Sequence, residues 1–203
     1  MANPLTTARN KYTENKKNST VFTPVGVAQF LYDILKVNGS TYPPYRTVFD
    51  PAIGTGRLTE PWYESGHRII GCDIIRTDGL CVHNFYRGPF EALESVERPE
   101  LVLCNSPFNG ASGKRLYPEV FLEHIFKLFG PTIPVVLFVP MGMLLNQRKK
   151  SKRWRWLRDC GAEITSVISL PLDIFDAVEF HSEILIFNVN GIKPHHFLPE
   201  KYL

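Results

Sequence analysis

No stretch of this chain stays apolar for long enough to cross a membrane. The longest such run, Ile133 to Leu145, is interrupted by Pro134, Pro140 and Gly142 and falls well short of the roughly 20 residues a spanning helix requires. The N-terminus is polar, without the apolar core of a secretory leader. The four cysteines, Cys72, Cys81, Cys104 and Cys160, form no Cys-x-x-Cys pair, which argues against a zinc or thiol-redox motif. Three of them lie in or beside apolar stretches, where a free thiol behaves as a small hydrophobe. A reducing, cytoplasmic setting is therefore expected. No carboxylate or cysteine completes a recognisable ligand set near His181, His195 and His196, so no metal is expected. Internal repeats and low-complexity tracts are also missing.

What is present describes one globular domain. The 203 residues are 44% hydrophobic and 21% charged, enough to bury a sizeable core. The net charge of +3 is unevenly placed: Arg148 to Arg158 holds seven basic residues (Arg148, Lys149, Lys150, Lys152, Arg153, Arg155, Arg158) and no acid. Such a patch on an otherwise slightly acidic body suits a polyanionic partner, although a solvated helix face reads the same way. Residues 1–20 are polar and basic, with Arg9, Lys11, Lys16 and Lys17, and read as a flexible arm. Residues 21–203 read as the folded domain.

From Pro24 onward, Val27, Phe30, Leu31, Ile34 and Leu35 repeat with helical period. Thr23 stands at the N-cap position with Pro24 behind it, and Asn38-Gly39 ends the helix. Past Pro43-Pro44, strands alternate with helices. Strands are expected at Thr47–Asp50, Arg68–Asp73, Gly79–Asn84, Leu101–Asn105, Ile133–Val139, Ile164–Leu170 and Glu183–Asn190. Helices are expected from the glycine loop to Ser65-Gly66, over residues 89–97, at Pro118–Phe129 and around 151–160. This alternation means βαβ units and a mostly parallel sheet. The irregular connection from Pro171 to His181 permits an antiparallel last strand.

Two strand ends carry the chemistry. The first reads Asp50-Pro51-Ala52-Ile53-Gly54-Thr55-Gly56, where glycines let backbone approach a ligand at the carboxyl edge of the sheet. The second reads Asn105-Ser106-Pro107-Phe108. Between them Asp73 closes a strand, placed either to cap a turn or, given the glycine loop, to hold a ribose diol. Trp154 and Trp156 sit inside the basic run, where they either anchor a helix in the core, the reading favoured here, or stack on bases.

The two strand-end motifs, in this order, resemble those of the S-adenosylmethionine-dependent adenine-N6 DNA methyltransferases. The likeness extends to Val21-Phe22-Thr23-Pro24, to Val135 through Met143, to Ile174-Phe175-Asp176-Ala177 and to Ile184 through Phe187. It implies a Rossmann-like class I fold: a seven-stranded, mostly parallel sheet with an antiparallel last strand and helices on both faces. It also implies that Asp50, Pro51, Ala52, Gly54, Gly56, Asp73, Asn84 and Phe85 hold S-adenosylmethionine, with Thr23 near its methionine end. Asn105, Ser106, Pro107 and Phe108 would then act on the adenine amine. Asn105 and the Ser106 carbonyl accept its hydrogens, Pro107 keeps its predecessor extended, and Phe108 stacks on the base. Ser106 replaces the proline of the commoner Asn-Pro-Pro-aromatic motif, so one φ restraint is lost. Lys16, Lys17, Asn109, Arg148, Lys149, Lys150, Lys152 and Arg153 are the expected DNA contacts. RNA adenine, protein glutamine and a catalytically silent subunit are the alternatives. No recognition domain is expected after the last strand, so a recognition subunit or a second copy is the partner expected to choose the target.

Overall fold

A computed structural model describes residues 21–38, 45–108, 116–141, 143, 151–175, 179 and 181–203. The elements run α1 (Val25–Asn38), β1 (Thr47–Asp50), α2 (Glu60–Glu64), β2 (Arg68–Asp73), β3 (Asn84–Arg87), β4 (Leu101–Cys104), α3 (Tyr117–Phe129), β5 (Val135–Pro140), α4 (Lys152–Cys160), β6 (Ile164–Ser169), β7 (Ser182–Phe187) and β8 (His195–Phe197). The strands form one sheet in the order β3-β2-β1-β4-β5-β7-β6-β8. Strands β1 to β5 pair in parallel, whereas β7 runs antiparallel between β5 and β6. This is the class I methyltransferase architecture, with an eighth strand added at one edge.

Buried residues alternate between the two faces of the sheet, as the pleat demands. Val48, Leu101, Leu103, Val136, Phe138, Ile184 and Ile186 form one core with Val27, Leu31 and Leu35 of α1 and Trp62 of α2. Phe49, Val102, Cys104, Leu137, Leu185 and Phe187 form the other with Phe121, Leu122 and Ile125 of α3 and Leu157 of α4. Near-continuous apolar strands such as Val135–Val139 thus serve both layers. The C-terminus closes over the first core: the Tyr202 ring lies 5.2 Å from that of Phe30, and its hydroxyl donates to Asp33 Oδ2 at 2.6 Å. A side chain at Gly26 would meet the Tyr202 carbonyl oxygen at 2.0 Å, so glycine is required where this turn crosses α1.

Four expectations are corrected. The third strand is Asn84–Arg87, not Gly79–Asn84: Leu80 and Val82 pack against the core from a loop, and the ladder to β2 begins at Asn84. Residues 89–97 form only a 3₁₀ turn at Phe90–Ala92, pinned by Phe90 against Phe49, Phe121 and His124. The helix behind the glycine loop shortens to Glu60–Glu64, because Gly56 to Thr59 are used in turns. Finally, β8 was not anticipated; three residues are too few to show a period.

Candidate active site at the carboxyl edge of the sheet

The chain leaves β1 toward β2 on one side and enters β4 and β5 on the other, so β1 and β4 are neighbours. That reversal opens a crevice beyond their carboxyl ends, where ligands bind in open α/β sheets. The glycine loop emerges from β1 and the Asn-Ser-Pro-Phe segment from β4.

The loop is knitted to β2. Ala52 N–H donates to Asp50 Oδ1 at 2.9 Å, and Ile53 N–H to the Cys72 carbonyl at 3.1 Å. Gly54 N–H donates to Asp73 Oδ2 at 2.8 Å, and Ile75 N–H to Asp73 Oδ1 at 3.2 Å. The Thr77 hydroxyl donates to the Gly54 carbonyl at 2.9 Å. Gly54 and Gly56 have φ of +53° and +82°, and a side chain at Gly56 would strike Leu80 at 2.8 Å. Both positions therefore require glycine. Asp73 is a cap in this structure, and each of its carboxylate oxygens can accept more than the one bond it makes here.

Asp50 is only 1% exposed. Burial pushes its carboxyl up to about 8, against the Ala52 hydrogen bond, and Asp73 adds to the rise. Pro51 is buried and Ala52 half-buried beside it. Two thiols line the same strand ends. Burial, then Asp73, Asp50 and Glu91, push Cys72 up to about 12, and burial, then Asp50, holds Cys104 well above its usual range. Neither is a nucleophile at neutral pH.

On the β4 side the Asn105 amide nitrogen donates to Thr23 Oγ1 at 3.0 Å and to the Val21 carbonyl at 3.4 Å. The Val21 carbonyl is an acceptor only, which fixes the nitrogen toward it and turns Asn105 Oδ1 the other way. Thr23 and Ser106 are 4% and 3% exposed, so packing fixes both. Pro107 is exposed, and Phe108 is half-buried against the core that α1 covers. Thr23 and Asn105, 82 residues apart, are thus brought together.

The rim adds groups that the sequence reading did not single out. Phe22, Ile74, Ile75 and Met141 are large, exposed and apolar. Ile74 and Ile75 directly follow the Asp73 end of β2, and Met141 follows β5. The Phe22 ring approaches the Gly54 position, at 3.6 Å from where a Cβ would stand, and Arg57 lies 5.7 Å from its centroid. An apolar pair just past a strand-terminal acid was the signal available in the sequence.

Not all of the other expected site residues share the surroundings expected of them. Asn84 opens β3 instead of closing a strand; in its satisfied orientation its amide donates to the His83 carbonyl at 2.8 Å and accepts from Arg68 at 3.0 Å. The Asn84 backbone pairs with Ile70, one step before the level at which β1 ends in Asp50, and Phe85 stands at that level. Phe85 pairs with Gly71 and packs beneath Arg76, whose guanidinium lies 5.4 Å from its ring. Arg153 is an internal tie, not a free cation: its Nε pairs with Glu119 and its other arm donates to the Met143 carbonyl at 2.9 Å. Lys152 is exposed. Trp156 stacks on Phe126, but Trp154 is 37% exposed, contrary to the core placement expected for both. Lys16, Lys17, Asn109, Arg148, Lys149 and Lys150 lie outside the described residues. Among the described residues no helix is long and apolar enough to span a membrane, and no cluster of three or more His, Cys, Asp or Glu side chains could hold a metal.

No known family profile matches this sequence, and no curated protein matches it either. Solved structures do. A candidate class I S-adenosylmethionine-dependent methyltransferase from Listeria monocytogenes superposes with a TM-score of 0.61 at 16% identity, over 87% of this chain and 65% of that one. The M protein of the type I restriction enzyme EcoKI gives 0.60 at 17% identity, over 85% and 44%. A 1,6-didemethyltoxoflavin N1-methyltransferase from Burkholderia thailandensis, solved with S-adenosylhomocysteine, gives 0.51 at 15% identity, over 89% and 98%. The chain thus spans about two thirds and less than half of the first two proteins. At these identities the likeness defines the fold, and the fold is that of the class I S-adenosylmethionine-dependent methyltransferases. The site fits that cofactor: two left-handed glycines, a fixed carboxylate at the next strand end and an apolar rim suit a nucleoside joined to an amino acid.

Proposed function

We propose that this chain is a methyltransferase that acts on the exocyclic N6 amine of adenine in DNA. The observation that carries this reading is the Asn105 amide nitrogen, held by Thr23 and Val21 so that its oxygen turns away from both, at the end of the strand that neighbours β1. Asp50, Pro51, Ala52, Gly54 and Gly56 would hold S-adenosylmethionine from the β1 side, Asp73 its ribose, and Thr23 would lie near its methionine end. Bound there, the cofactor supplies an electrophilic methyl group.

The adenine amine is a weak nucleophile, because its lone pair is delocalised into the ring. Asn105 Oδ1 and the Ser106 carbonyl accept its two hydrogens and so favour a pyramidal nitrogen with a localised lone pair. Both acceptors gain strength as positive charge develops on that nitrogen, which is where stabilisation accelerates a reaction. Pro107 keeps the Ser106 carbonyl aimed, and burial of Ser106 makes up for the missing first proline. Phe108 stacks on the base. A base in a duplex cannot reach this edge, so the target is flipped out or unpaired.

Unmodified DNA incubated with methyl-labelled S-adenosylmethionine, then digested to nucleosides, should yield labelled N6-methyladenosine in its deoxy form. Asn105→Ala should lower the yield by about 10²–10³-fold. Label confined to cytosine, to RNA adenine or to protein glutamine would overturn the substrate. No transfer to any of these would overturn the reaction.

A further inference from the structure

Helix α4 presents an aromatic ring among cations on its solvent face. At about 100° per residue, Trp154, Arg158 and Arg155 lie side by side, away from Trp156 and Cys160, whereas Lys152 lies about 160° round from Trp154, beyond Asp159. Trp154 is 37% exposed, and Lys152, Arg155 and Arg158 are exposed as well. Asp159, 3.4 Å from Arg158, is the only acid in the helix. Trp156 stacks on Phe126 at 5.7 Å and Leu157 enters the core, whereas Trp154 keeps over a third of its surface exposed. The helix is also tied to the site. Arg153 joins it to the Met143 carbonyl just past β5 and to Glu119, whose other oxygen accepts from Leu116 N–H at 2.8 Å at the start of α3.

We infer that this face is a stacking platform for an unpaired DNA strand, with Trp154 taking a base and Arg155 and Arg158 the adjoining phosphates. A duplex offers a helix only phosphates and groove edges. An indole needs an open base face, and aromatic stacking between phosphate contacts is how single strands are held without regard to sequence. The inference rests on the proposed function only for what the strand is there to do, namely to deliver its target base to Asn105.

The test uses the full chain and an oligothymidylate strand, which has no adenine to enter the target pocket. Trp62 is 1% exposed and Trp156 is stacked, so quenching of tryptophan emission reports on Trp154. Saturable quenching is expected. Trp154→Ala should abolish most of it and weaken binding about tenfold. Trp154→Phe should retain most of the affinity, and Arg158→Ala should weaken binding while leaving the quench. The platform is overturned if Trp154→Ala binds like the parent chain, or if a thymine-adenine duplex of equal length binds the parent more tightly than the strand. Methyl transfer to adenine-containing DNA separates the two claims: transfer without strand quenching removes the platform alone. Quenching without transfer removes the reaction and leaves the platform.

Discussion

At neutral pH Asp50 keeps its proton. The unfolded carboxyl titrates near 3.8 and the folded one near about 8. Between those values the folded state holds a proton that unfolding releases. Asp50 therefore favours folding fully below the lower value, and that contribution is lost as pH rises through the upper one, by at most about 1.4 kcal/mol per pH unit. Asp50→Asn keeps an acceptor for Ala52 N–H and removes the titration. Urea unfolding across this window should show a flatter pH dependence in the variant, which gains on the parent as pH rises. Identical slopes would show that Asp50 is ionised in the folded chain. At the same scale, the residues most legible in the sequence were those whose type is dictated by backbone geometry. Gly54 and Gly56 occupy left-handed positions, and Asp73 caps the loop they form. Asn84 was misplaced because the Asn-aromatic pair carries no sign of which end of a strand it occupies.

One of the interactions that join helices α3 and α4 was concealed by the charge pattern. In the sequence Arg153 is one of seven cations in a run; in the structure it pairs with Glu119 and the Met143 carbonyl, at 24% side-chain exposure against 14% for Glu119. Removing one member of a half-buried, charge-assisted bond leaves its partner unsatisfied, at a cost of about 1–3 kcal/mol. Arg153→Ala should therefore lower Tm by about 2–10 °C, and Arg153→Lys by less, as read by thermal unfolding. An unchanged Tm in Arg153→Ala would show that the tie is dispensable. Elements with long apolar periods, α1, α3, β5 and β7, were legible to within a few residues. The third strand, the turn at Phe90 and β8 were not. The third strand starts late because Leu80 and Val82 reach the core from a loop, the turn is set by where Phe90 finds its neighbours, and β8 is too short to carry a pattern.

The whole molecule places its functional groups by topology. Residues 82 apart, Thr23 and Asn105, meet because α1 covers the face of the sheet where β4 ends. Asp73 reaches Gly54 because β1 and β2 are parallel neighbours. Sequence order suggested a cofactor loop followed by a substrate loop; the switch between β1 and β4 converts that order into adjacency. The exposed apolar rim of Phe22, Ile74, Ile75 and Met141 gathers at the same edge. The proposed function depends on that edge binding S-adenosylmethionine, so the most direct measurement is calorimetric titration of the chain with this cofactor, beside Asp73→Ala. Saturable binding at one site per chain is predicted, weakened about ten- to hundredfold by the substitution, as expected for loss of a charged hydrogen-bond acceptor. No heat of binding in the folded parent chain, or equal affinity in Asp73→Ala, would contradict it.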